Sequence, residues 1–345
     1  MRVALIGLGM VANTHVEAIA ATAGRIELAG VSSAHPEKAA AFADKVAPLL
    51  GASPRIYADT AEVAADPDID FVILATPPNA RMEQVTLLAG AGKPILMEKP
   101  IERTAAAARA IVETCEAAGV PLGIVLQHRM RASAKALSSM LAEGRLGDLG
   151  LVEIMVPWWR AQSYYDAPGR GSYARDGGGV LISQAIHTLD LALSLTGPVA
   201  RVQAMARTTK LHRMESEDVV TAGLDFESGA VGSLFASTAS HPGGAETITL
   251  HGTEGSARLI GGLLEITWRD GRVEQIGAAA GTGGGADPMA FTHEWHQAIL
   301  EDFAGALETG RDPAVSGRAA LAVHDLIEAL VTSSAEGRAI TLETR

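Results

Sequence analysis

Over its first 126 residues the chain alternates short runs that are apolar at every position with longer alanine-rich runs whose apolar residues recur at helical spacing. Val3-Ala4-Leu5-Ile6 reads as a buried strand, Val11 to Thr22 as a helix, Ile26 to Val31 as a second strand and Pro36 to Val46 as a second helix. Phe71 to Ala75 is the clearest strand, and it stops at Thr76-Pro77-Pro78 because proline cannot donate to a central ladder. A helix over Ala80 to Ala89, a strand over Pro94 to Met97, a helix over Ala105 to Ala118 and a strand over Val120 to Val125 continue the alternation. Strands that are apolar throughout and separated by helices predict a parallel sheet covered on both faces, the doubly wound α/β class.

The pattern changes after about residue 127. A helix over Ala132 to Leu141 leads into a strand over Leu151 to Val156, an aromatic and arginine-rich loop, a glycine run and a helix through Ser194. Then come strand-like segments joined by turns, at Val202 to Met205, Val219 to Phe226, Val231 to Ser237, Thr247 to His251 and Leu263 to Trp268, spaced as in a large antiparallel sheet. Gly277 to Asp287 reads as a mobile glycine and alanine loop, and helices over His293 to Glu308 and Ser316 to Ser334 follow. At roughly 150 residues per domain, 345 residues divide into two, 1-126 and 127-345.

Composition narrows the function classes. The 28 lysines and arginines against 40 aspartates and glutamates give a net charge of −12, a field that repels nucleic acid and anionic membrane. The single cysteine, Cys115, falls in a helical run and reads as a buried, inert thiol in a reducing compartment. The N-terminal apolar run is short and broken by glycine, unlike a signal peptide, and no stretch reads as a bilayer span, so the expected location is cytoplasmic.

Gly7-Leu8-Gly9-Met10-Val11-Ala12 is a G-x-G-x-x-A run directly after a strand and opening a helix. The first glycine permits the tight turn, the second lets pyrophosphate approach, Ala12 keeps helix and strand close, and the helix start offers free amides. Within a complete β-α-β unit this predicts a nicotinamide dinucleotide. The ribose ligand belongs at the far end of the second strand, and that end is Ser32-Ser33-Ala34-His35, without a carboxylate. Two hydroxyls with His35 or Lys38 suit a 2′-phosphate, which favours NADP, with NAD open; serines are also ordinary turn residues. Lys99, in Gly92-Lys93-Pro94-Ile95-Leu96-Met97-Glu98-Lys99-Pro100, stands at the carboxyl end of a parallel strand, where α/β sheets bind ligands. Burial beside a cationic nicotinamide would make it a usable proton carrier.

Gly7-x-Gly9, Ala75-Thr76-Pro77-Pro78, Glu98-Lys99-Pro100 and Gly177-Gly178-Gly179 followed by His187-x-x-Asp190 occur in an order that resembles the glucose-fructose oxidoreductase/inositol dehydrogenase/rhizopine catabolism (Gfo/Idh/MocA) family. Glu217-Asp218, His251-Gly252-Thr253-Glu254-Gly255 and Gly310-Arg311-Asp312-Pro313 extend the likeness over nearly the whole chain. The resemblance implies a Rossmann domain followed by an α+β domain that binds substrate. The open sheet face of that second domain would join copies into a homo-oligomer, a dimer or tetramer. It also implies that Gly7, Gly9, Met10, Val11, Ser32, Ser33, His35, Ala75, Thr76, Pro77, Glu98 and Lys99 line the cofactor, with Pro100 often preceded by a cis peptide. His187 matches the family's catalytic histidine. Two departures stand out: Ser183 occupies the place of the usual carboxylate or amide four residues before His187, and Arg81 stands where a histidine commonly follows Thr-Pro-Pro. Proton handling then falls to Lys99 and His187, with Ser183 nearby and Asp190 or Asp176 as possible recruits. By helical spacing His187 shares a face with Ser183, Gln184 and Asp190.

Two of the four tryptophans and three of the four tyrosines lie between 157 and 173. Aromatic faces with arginines suit a sugar ring or a carboxylate, so Trp159, Arg160, Tyr165 and Arg170, with Gln184, are candidate substrate contacts; a domain-interface cluster is the plainer reading. Arg160 and Arg170 together favour a sugar acid. His293-Glu294-Trp295-His296 lacks H-E-x-x-H spacing and shows no third ligand, so no metal is expected. The reading is an NAD(P)-dependent oxidoreductase acting on a carbinol carbon of a sugar, polyol or sugar acid. The rivals are an NAD-dependent redox-assisted glycosidase and a non-catalytic nucleotide- or sugar-sensing module.

Overall fold

The computed structural model describes residues 1–279, 281, 284 and 291–343. Most of the loop expected to be mobile, from Gly277 to Asp287, lies outside the described residues. The chain forms two compact units: Met1–Gln127 with His293–Leu321, and His128–Thr292 with Ala322–Arg345.

In the first unit β1 (Arg2–Ile6), β2 (Glu27–Ser32), β3 (Arg55–Tyr57), β4 (Phe71–Leu74), β5 (Ile95–Glu98) and β6 (Leu122–Val125) form an all-parallel sheet in the order β3-β2-β1-β4-β5-β6. That is the doubly wound dinucleotide order, whose switch point lies between β1 and β4. The crossovers carry α1 (Ala12–Ala21), α2 (Pro36–Leu50), α3 (Thr60–Ala65), α4 (Arg81–Gly90) and α5 (Ala105–Ala117). β1 and β4 are buried almost end to end, as their unbroken apolar runs require. Cys115 is buried in α5, and burial pushes its thiol up to about 12, which leaves it an inert core group.

In the second unit a nine-stranded sheet is covered on one face. Its strands are β7 (Leu149–Pro157), β8 (Val199–Arg207), β9 (Val219–Phe226), β10 (Val231–Ser237), β11 (Thr247–Gly252), β12 (Gly255–Ile260), β13 (Leu263–Trp268), β14 (Val273–Gly277) and β15 (Ile340–Thr341), in the order β14-β13-β12-β11-β7-β10-β9-β8-β15. The sheet is mixed: β7 and β10 run parallel, whereas the other pairs are antiparallel. On the inner face Val152, Ile154, Leu234, Ile248, Leu250, Leu264 and Ile266 are buried, under α6 (Ala132–Ala142) and α9 (Ile186–Thr196). No described helix covers the outer face. One cross-strand row runs Met205, Thr221, Phe235, Met155, Thr247 and a parallel one Val231, Leu151, His251, Ser256, Thr267, Val273.

Between β7 and β8 come the short helices α7 (Gln162–Tyr165) and α8 (Tyr173–Asp176), a π-helical turn over Leu181–Ala185 and α9 (Ile186–Thr196). The helical run Tyr173–Thr196 corrects one expectation, because by length and composition it could span a bilayer. Its apolar window is 83% buried inside the protein, as a core helix is. After the second unit, α10 (Glu294–Thr309) packs on the first: Phe303 meets Phe71 edge-on at 5.4 Å, and Gln297 donates to the Ala21 carbonyl. α11 (Gly317–Glu336) then begins in the first unit and continues into the second. A single boundary near 126 does not contain this return of the chain.

Candidate active site

At the end of β1, Gly7 takes φ +97° and donates to the Ser32 carbonyl at 3.0 Å. A Cβ there would lie 2.6 Å from the Ala75 carbonyl carbon, so only glycine fits. Gly9 faces open space, with nothing within 4 Å of an added Cβ. Ala12, fully buried, opens α1 with its amide bonded to the Gly9 carbonyl at 3.2 Å, and Val11 offers no side-chain cap for the amides that follow, which suits an anion at this helix start. Met10 is exposed beside them. These residues fit a dinucleotide pyrophosphate. At the end of β2, Ser32 is buried, the Ser33 hydroxyl accepts from the His35 amide at 3.2 Å, and His35 precedes Pro36 at the start of α2. Glu37 stands 3.7 Å from His35 Nδ1, a carboxylate that the reading of Ser32 to His35 left out.

At the end of β4, Ala75 and Thr76 are half-buried and Pro77 is exposed. The Thr76 hydroxyl donates to Gln84 at 2.6 Å, and Gln84 reaches Thr60. One strand over, Lys99 follows β5 and joins Pro100 through a cis peptide. Glu98 is buried and accepts from His15 Nε2 at 2.8 Å, with His296 Nε2 3.8 Å away. Burial pushes the Glu98 carboxyl up, but the hydrogen bond from His15 and the positive charge nearby hold it below its ordinary value. Burial drives His296 down to about 3, so that ring is neutral. The sequence showed no third ligand near His296, and the fold supplies two. Ligand atoms of His15, Glu98 and His296 lie within 4.8 Å of one another.

In the second unit the triple glycine is a structural necessity. Gly177 ends α8 at φ +85°, Gly178 takes φ +154°, and a Cβ on Gly179 would strike the Glu217 carbonyl oxygen at 1.8 Å. The Glu217 carboxylate accepts from the Gly179 and Leu181 amides, which fixes the start of the helical run that carries His187. His187 is buried on α9 with its ring stacked on His128 at 4.9 Å, and Arg131 hydrogen-bonds the His128 ring at 2.6 Å. Ser183 sits half-buried within the π turn, so the stretch before His187 is not the regular α-helix that the i, i+4 spacing assumed. Asp190 is buried and grips Arg129 through both oxygens, at 2.7 and 2.5 Å. Burial pushes its carboxyl up against the pull of Arg129. Asp176 accepts from the Gly171 amide.

The aromatic loop does converge. Arg160 is buried, its guanidinium 5.3 Å from the Trp158 ring and 5.8 Å from that of Tyr164. Arg170 lies over Tyr164 at 4.5 Å and donates to its hydroxyl at 2.9 Å, while its buried Nε finds no partner among the described residues. Gln184 Nε2 also reaches the Tyr164 hydroxyl, at 3.4 Å, and its buried Oε1 has no partner among the described residues. Tyr164, absent from the sequence candidates, is thus the hub of this cluster. Tyr165 bonds Thr238 at 2.7 Å and packs on His212, whose Nδ1 meets Asp218 at 2.8 Å. Trp159 stands 5.6 Å from the His212 ring and 5.1 Å from that of His241.

Residues 1–125 match the family model described as oxidoreductase family, NAD-binding Rossmann fold, and residues 134–258 match that of the GFO/IDH/MocA C-terminal domain. The chain belongs to the GFO/IDH/MocA family of oxidoreductases. It is 30% identical to a D-apiose dehydrogenase of Paraburkholderia graminis over 99% of this chain and 89% of that one. It is also 27% identical to an inositol 2-dehydrogenase of Rhizobium meliloti over 99% of each. Among solved structures, the WlbA dehydrogenase of Bordetella pertussis in complex with NADH and UDP-GlcNAcA superposes with a TM-score of 0.82 at 28% identity, over 100% of this chain and 99% of that one. This GFO/IDH/MocA member is therefore an NAD-binding oxidoreductase.

Proposed function

We propose that this oxidoreductase acts on a carbinol carbon of a sugar, polyol or sugar acid. The observation that carries the reading is Lys99 at the carboxyl end of β5, in the same parallel sheet as the Gly7–Gly9 turn and on its ligand-binding edge. The bound nicotinamide would accept or return the hydride. Gly7, Gly9, Met10, Val11 and the first amides of α1 hold the pyrophosphate, and Ala75, Thr76, Pro77 and Glu98 line the neighbouring strand ends. Lys99 and His187 handle the hydroxyl proton, taking it in oxidation and returning it in reduction. Ser183 replaces a stronger acid and acts as a hydrogen-bonding neighbour of His187, and Asp190, held by Arg129, orients the helix rather than shuttling protons.

Trp159, Arg160, Tyr165, Arg170 and Gln184, joined by Tyr164, receive the substrate. The Nε of Arg170 and Oε1 of Gln184, without partners among the described residues, are a donor and an acceptor of the kind that a hydroxylated acid satisfies. The relatives are named for apiose and inositol, and the WlbA structure holds UDP-GlcNAcA beside NADH, which supports this class.

We further propose that Ser33, His35 and Lys38 admit the 2′-phosphate of NADP. The chain would work in the cytoplasm as a homo-oligomer joined through the outer face of the second sheet, where Leu151, Met155, Met205, Val231 and Val273 are exposed. A sugar and sugar-acid panel followed by nicotinamide absorbance tests the activity. Turnover that vanishes in both K99M and H187A is expected, and undiminished turnover in either removes that residue from the site.

A further inference from the structure

Arg81 is 2% exposed, yet its guanidinium points into backbone. Nε and one terminal nitrogen donate to the Thr76 carbonyl at 3.0 and 2.7 Å, and the other nitrogen bonds the carbonyls of Glu98 and Pro100 and reaches that of Ile101 at 3.4 Å. One side chain therefore ties the end of β4 to both sides of Lys99. Burial lowers the guanidinium to about 10, opposed by Glu98 and Glu102, so it stays charged at neutral pH.

The turn that Arg81 holds opens on Glu98, whose buried side chain is itself fixed by the hydrogen bond from His15 Nε2 at 2.8 Å. Lys99 therefore leaves a backbone pinned on both sides, which sets where its side chain starts toward a substrate hydroxyl.

We propose that Arg81 is a positioning residue for Lys99. It staples the Glu98-Lys99-Pro100 turn to the end of β4 and so fixes the point from which the Lys99 side chain reaches the substrate. The inference rests on the reading of Lys99 as proton carrier and goes beyond it.

The test is steady-state turnover of the folded full chain, with kcat and KM read separately and thermal melts confirming the fold. R81K keeps the charge but cannot span both sets of carbonyls, so kcat should fall about 10- to 100-fold with KM for substrate and cofactor little changed. R81A should fall as far, and added guanidinium ion, which can refill the fork, should restore part of its kcat. Should R81A fail to fold, R81K alone decides. Full kcat in folded R81K, or a loss carried by KM, overturns the proposal. Undiminished turnover in K99M instead removes the reading of Lys99 on which it rests.

Discussion

Glu217 and Gly179 meet twice over: the glycine amide donates to both carboxylate oxygens at 3.1 Å, while a Cβ on that glycine would collide with the Glu217 backbone. Leu181 adds a third bond at 3.2 Å. The contact anchors the turn that precedes the His187 helix. E217A leaves two buried amides without acceptors and should cost about 2–6 kcal/mol, since each orphaned group costs about 1–3 kcal/mol. E217Q keeps an acceptor and should cost less. Thermal melts of the two variants distinguish these outcomes.

The pH dependence of that contact has a definite sign. Burial raises the Glu217 carboxyl, with the Gly179 and Leu181 amides only partly offsetting it. A group that binds its proton more tightly folded than unfolded adds stability below its unfolded pKa, and that contribution is lost as pH rises through the folded value. Unfolding free energy of the wild type should therefore carry a falling component just above the ordinary carboxylate range. In E217Q this component should be absent, which urea melts across pH would show.

Asp190 is held by Arg129 in a bidentate pair, with the Asp190 side chain 1% and that of Arg129 18% exposed. D190N strips a nearly buried guanidinium of its partner, a loss of roughly 3 kcal/mol. Removing both partners in D190N/R129M should destabilise less than D190N alone. If Asp190 instead relayed protons, D190N would reshape the pH profile of kcat, whereas a supporting role leaves its shape unchanged.

How far the sequence foretold this arrangement depended on the range of the interactions. β1 and β4 were legible because a strand buried on both faces must be apolar at every position. β3 was missed because Arg55 and Ile56 are exposed on an edge strand, and β12 because Gly255-Ser256-Ala257 lacks the branched and aromatic residues that mark strands. The Gly7 turn and Lys99 were local signals. The Glu98 cluster was not, since His15 and His296 come from opposite ends of the chain and meet only after α10 returns to the first unit. Arg81 read as a departure from a pattern. Its role became visible only when its carbonyl partners were in place.

Cofactor choice turns on Glu37, a 73% exposed side chain 3.7 Å from His35. Its charge opposes a 2′-phosphate beside Ser33 and His35, but solvent screens it strongly. E37Q should therefore raise the ratio of kcat/KM for NADP to that for NAD by only about 3- to 10-fold, as expected for one exposed charge worth about 1 kcal/mol. S33A/H35A should move the ratio the other way. An unchanged ratio in both variants would place the ribose elsewhere.

The substrate prediction rests on Arg170. Its guanidinium is stacked on Tyr164 and spends one nitrogen on the Tyr164 hydroxyl, and its buried Nε is a donor without a partner among the described residues. A carboxylate that reaches that donor gains a charge-assisted bond, while a neutral sugar gains only an ordinary one. R170M should thus lower kcat/KM for a sugar acid by about 10- to 100-fold, matching the roughly 1.5–3 kcal/mol of a hydrogen bond to a charged group. For the corresponding neutral polyol the same variant should lose much less, with the difference seen mainly in KM. Equal losses on both substrates would show that Arg170 only props up Tyr164, and the preference for acids would then have to come from Arg160.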